Sequence, residues 1–118
     1  MKNGASNLKV KEPLTVSRRT PPRWDIRVEA ALSASNLSRR RLALQIRQDM
    51  WRALQSTRGF LPAVEVSEGG GLYHIAAGGD LDGTRAPKGH MEAKIADLLA
   101  DPAHVNRWKT HAKRRVAA

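Results

Sequence analysis

The sequence predicts an α+β domain, on three observations. Apolar residues recur every four positions across 39–58, two short β-type runs flank a glycine turn between 63 and 77, and helical periodicity returns after residue 87. The expected architecture is a small antiparallel hairpin or three-stranded sheet covered by helices, in the order α-α-β-β-(β)-α-α. It occupies residues 24–118 as one domain behind a disordered basic arm at 1–23. A chain of 118 residues with 41% hydrophobic content has material for one modest core and no second one.

From Met1 to Arg23 the chain shows neither helical nor strand periodicity and is interrupted by Gly4, Pro13, Pro21 and Pro22, the pattern of an arm without a core of its own. Asp25 to Ala34 reads as a short helix, with Asp25 as N-cap and Val28, Ala31 and Leu32 on one side. Asn36 and Ser38 supply turn and cap chemistry before the long helix Arg39–Arg58. In it Leu42, Ile46, Met50 and Leu54 form the buried stripe, and Gly59 marks the stop. Arg40, Arg47 and Arg58 border one edge of that stripe, Arg41 and Arg52 the other.

Ala63–Ser67 and Leu72–Ala77 then read as a hairpin about Gly69, Gly70 and Gly71, with Gly78 and Gly79 bending or ending the second strand. Asp80–Asp82 is a short third strand or a loop. Met91, Ile95, Leu98 and Leu99 define a further helix. Asp101 with Pro102 forms an N-cap and N1 pair opening the last one, in which Val105, Trp108 and Ala112 face inward. The core expected from these patterns joins Leu42, Ile46, Leu54, Val64, Val66, Ile75, Ile95 and Leu98.

Charge is the strongest functional signal. Twenty-one Lys and Arg against 11 Asp and Glu give +10, and the excess is segregated. Residues 1–28 carry seven basic and two acidic side chains (+5), 29–58 six and two (+4), 59–100 three and six (−3), and 101–118 five and one (+4). Such a field attracts polyanions over a Debye length of about 8 to 10 Å. The absence of cysteine excludes disulfides, thiolate metal sites and cysteine nucleophiles, and agrees with a cytoplasmic location. Met1–Val10 has no signal-peptide core, and no stretch approaches the length of a membrane helix, so no membrane partner is expected.

The stretch Asp80, Leu81, Asp82, Gly83, Thr84 resembles the first motif of haloacid-dehalogenase-type phosphatases, but the 34 residues after Thr84 leave no room for the later motifs, and the loop reads as a turn. A calcium loop starting at Asp80 has Met91 where the bidentate glutamate belongs. His74, His90, His104 and His111 lack metal-ligand spacing, so no metal, no cofactor and no enzymatic activity are expected. Ala30–Gln45 can be drawn as a helix-turn-helix with Arg39, Arg40 and Arg41 opening the recognition helix, although Gln45 stands where an aliphatic residue belongs. Over residues 39–99 the order of helix, strand, glycine turn, strand and helix resembles the double-stranded-RNA-binding domain. That resemblance implies phosphate contacts from Lys88, His90 and Lys94.

The expectation is a small nucleic-acid-binding protein, for DNA or RNA, that contacts the phosphate backbone through Arg18, Arg19, Arg23, Arg39, Arg40, Arg41, Lys109, Lys113, Arg114 and Arg115. Trp24, lying among Arg18, Arg19, Arg23 and Arg27, either stacks on a base or tucks onto the domain. The alternative is a protein-interaction module or accessory subunit that docks on an acidic partner. Trp51 falls off the main stripe of its helix near Leu44, which favours a partner surface or a homodimer seam unless another helix covers both.

Overall fold

The computed structural model of the protein describes residues 13–18, 21–81 and 87–114. Its elements are β1 (Leu14–Ser17), β2 (Ile26–Ser33), α1 (Arg39–Leu54), β3 (Phe60–Gly69), β4 (Leu72–Leu81), α2 (Lys88–Ala100) and α3 (Pro102–Ala112). The strands form one four-stranded sheet of order β1-β3-β4-β2, with every neighbouring pair antiparallel. β2 and β3 therefore run in the same direction with β4 between them, and α1 is the crossover that joins them. α1 packs on β3 and β1, α2 on β2, and α3 lies against α1.

The α+β class holds, and the sheet is larger than expected because two strands come from residues read otherwise. Residues 26–33, expected within a helix, are β2: Ile26, Val28, Ala30 and Leu32 turn towards the helices, while Arg27, Glu29, Ala31 and Ser33 are exposed. This also removes the helix-turn-helix, since a strand precedes α1. Leu14–Ser17, placed in the disordered arm, pairs with Ala63–Val66 as an edge strand. The rest of the arm up to residue 12, with residues 19 and 20, lies outside the described residues.

α1 ends at Leu54, four residues before the expected limit at Arg58. β4 does not stop at Gly78 and Gly79 but continues to Leu81, so no separate third strand follows the hairpin among the described residues. Both glycines are needed for that continuity. A Cβ on Gly78 would stand 2.0 Å from the Ile26 carbonyl oxygen. At Gly79, where φ is +138°, it would stand 2.1 Å from that of Leu61. The hairpin closes on Gly70 and Gly71, both with positive φ as a two-residue primed turn demands.

The eight expected core residues are all buried in one cluster, joined by Ile26, Leu32, Leu37, Met50, Phe60, Tyr73, Met91 and Trp108. Asp101 caps α3 by accepting from Ala103 N, with Pro102 at the first helical position. Trp108 is completely buried, and its indole N–H donates to Asp49 Oδ2 on α1 at 2.7 Å, which fixes α3 against α1.

The crossover loop between β2 and α1 is held from both sides. The Tyr73 hydroxyl on β4 accepts from Leu37 N (2.8 Å) and donates to Leu37 O (3.2 Å), both within the core. Leu37 forms an antiparallel bridge with Lys113, Ser38 N donates to Ala112 O (2.8 Å), and Arg114 N donates to Asn36 O (2.9 Å). Tyr73→Phe removes one hydroxyl and orphans two buried backbone groups of Leu37. It should cost about 1 to 3 kcal/mol in urea unfolding with the slope m unchanged. A cost below about 0.5 kcal/mol would show that the loop does not depend on that hydroxyl.

Candidate nucleic-acid interface

The bridge between Leu37 and Lys113 decides where the basic residues meet. Ser38 caps α1 by accepting from Arg41 N (3.2 Å), so Arg39, Arg40 and Arg41 form the first helical turn, and Arg40 and Arg41 are exposed. The paired strand-like end of α3 brings exposed Lys113 and Arg114 beside that turn. Lys109 lies one turn earlier on α3 and is half-buried. Five residues drawn from distant parts of the sequence thus share one end of the molecule, with Lys109 close behind.

The other expected contacts are placed differently. Arg18 is exposed just beyond β1, where it lines a groove against the second half of α1. Arg23 stands in the connection leading to β2 and pairs with Asp25 at 3.7 Å. Arg19 and Arg115 lie outside the described residues. Arg107 on α3 faces solvent and is also paired with Asp49 on α1.

The first turn of α1 contains no acidic residue. A helix N-terminus carries about half a positive charge from its unpaired N–H groups, so three arginines there oppose the macrodipole and add to its field. The sheet face turned away from α1 has a different character. There Arg27 pairs with Glu29 (2.9 Å) and Glu65 (3.4 Å), beside Ser67 and His74. The Arg27 guanidinium also lies over the Trp24 ring, 4.6 Å from its centroid, so Trp24 has an intramolecular cation on one face.

No family model matches the chain. No curated protein and no solved structure matches it either.

Sequence reasoning named Arg47 and Trp51 separately and missed that they lie on one strip. Arg40, Leu44, Arg47 and Trp51 follow each other at intervals of four, three and four residues and so lie along one side of α1. That spacing was the available signal. Leu44 and Trp51 stay 40% and 51% exposed, so among the described residues neither a helix nor a strand covers them.

The acidic stretch at the end of β4 has a structural role. Asp80 is buried, 2% exposed, and hydrogen-bonds to the side chain of Asp25, whose Oδ2 also accepts from Leu81 N at 2.8 Å. The Leu81 amide, followed by the contact with Asp80, holds the Asp25 carboxyl below the usual aspartate range. Asp82 lies outside the described residues. Among the described residues no group of His, Asp and Glu is arranged to hold a metal ion, and no helix is long and apolar enough to cross a membrane.

Asp101 is lowered as well, chiefly by the Ala103 amide and next by His104. For both aspartates the folded value lies below the unfolded value of about 3.9. Their stabilising contribution is therefore complete above that value and is lost as pH falls through the lower folded one. Acid unfolding followed by circular dichroism should show a stability loss confined to this window, flattened by Asp25→Asn and by Asp101→Asn. An unchanged acid limb in both variants would contradict the assignment.

Proposed function

We propose that the protein binds nucleic acid through its phosphate backbone, using the end of the molecule where Arg39, Arg40 and Arg41 meet Lys113 and Arg114. One observation carries this reading: the fold adds a second basic segment to a helix terminus that already bears three arginines and no acid. An arrangement that raises the folded protein's own repulsion is explained when a polyanion neutralises it. The opposite sheet face, where Glu29 and Glu65 hold Arg27, turns away from such a ligand. Each phosphate contact would release counterions, and readout of base sequence is no part of the reading.

Two measurements test it. Binding to a labelled DNA or RNA probe should weaken linearly in log K against log[salt], with a slope near −0.9 per phosphate neutralised on duplex DNA. Arg39→Ala, Arg40→Ala and Arg41→Ala together should reduce that slope by about three and weaken all sequences alike. Arg40→Glu with Arg41→Glu should go further and uncouple function from stability: affinity falls while the fold gains about 0.3 to 1 kcal/mol per site from the helix dipole. Absence of binding to DNA and RNA at low salt would contradict the proposal and leave docking on an acidic protein as the reading for the same surface.

A further inference from the structure

Beyond the end of β1 the sheet edge has no paired strand among the described residues. β1 pairs with β3 only over Ala63–Val66, so Phe60, Leu61 and Pro62 have no strand neighbour on that side among the described residues. Between this stretch and α1 runs a groove of about 510 Å³, into which Leu44, Arg47, Trp51 and Arg18 project. That volume lies in the range of small-ligand pockets. Its chemistry is specific: half-exposed indole and leucine surface, two arginines and, among the described residues, no carboxylate. Arg47 Nε is buried with no hydrogen-bond partner among the described residues, an N–H that has lost its water without a replacement.

We infer that this groove takes one unpaired base of a single-stranded nucleic acid, with the base on Trp51 and its flanking phosphates on Arg18 and Arg47. The inference rests on the nucleic-acid reading and narrows it to a substrate class. An indole set into a groove cannot reach bases stacked inside a duplex unless one is extruded, whereas a single strand offers a π-face at every step. The groove is also continuous with the phosphate-binding end, because Arg40, Leu44, Arg47 and Trp51 lie on one strip of α1. Arg40 and Trp51 are separated along the axis by about 16 Å, room for a strand to run from the basic cluster into the groove. A second copy of the chain fits less well, since a two-fold contact at this face would set Arg18 and Arg47 against their own equivalents in a protein of charge +10.

The test compares three labelled probes: a thymidine oligonucleotide, an abasic strand of the same length, and a duplex. Trp51→Ala should weaken binding to the thymidine strand roughly 5- to 150-fold, the loss of one stacked base, with the salt slope unchanged. Binding to the abasic strand and the duplex should be unaffected, and Trp51→Phe should restore most of the lost affinity. Equal losses on thymidine and abasic strands, or no loss on either, would overturn the inference while leaving the salt-dependent phosphate binding in place. A wild-type dimer in sedimentation that Trp51→Ala dissociates would overturn it as well and make the groove a subunit seam. Failure of the wild-type protein to bind any probe would remove the nucleic-acid reading itself.

Discussion

The double hydrogen bond between the Tyr73 hydroxyl and the backbone of Leu37 is the constraint on which the rest of the arrangement depends. A crossover from β2 to β3 must leave the sheet at one end, span it and return, and the loop that starts it carries backbone groups buried away from water. Tyr73 satisfies two of them from β4, the central strand that pairs with both β2 and β3. The outer side of the same loop is then free to pair with the end of α3, through Leu37 with Lys113 and Asn36 with Arg114. A single hydroxyl thus connects the sheet to the crossover, and the crossover to the end of the last helix.

Electrostatics follows from that connection. With α3 docked through Trp108 and Arg107 on Asp49, its basic end cannot leave the first turn of α1. The fold holds like charges together at a helix terminus whose dipole repels them, while Glu29 and Glu65 lie with Arg27 on the far side of the sheet. Stability alone would favour the reverse, with acids in the first turn and cations spread over the surface. On the proposed function a polyanionic ligand accounts for the departure, and the strip along α1 gives such a ligand a direction.

The elements that were legible in the sequence are those whose pattern is local and long. α1 announced itself through Leu42, Ile46, Met50 and Leu54, the hairpin through its glycines, and α3 through Asp101 and Pro102. β2 was misread because Val28, Ala31 and Leu32 satisfy a helical period while Ile26, Val28, Ala30 and Leu32 satisfy a strand period. Only pairing with β4, forty-odd residues away, decides between them. β1 has four residues, too few for any periodicity, and owes its existence to the open edge of β3. The arginine cluster at 39–41 was visible as charge, yet its meeting with Lys113 and Arg114 depends on a bridge between chain segments at opposite ends of the domain. The groove at Trp51 was half visible: the exposed indole was noted, while Arg18 and the bare end of β3 were brought to it only by the sheet.

The proposed function makes one end of the molecule and the adjoining strip of α1 the surface that meets a polyanion. Backbone amide shifts recorded while an oligonucleotide is titrated into the labelled protein test this most directly. The largest changes are expected on Arg39–Arg41, Lys113 and Arg114, continuing along α1 to Arg47 and Trp51, with little change at Arg27, Glu65 and His74 on the opposite sheet face. Changes centred on that sheet face, or spread evenly over the surface, would contradict it.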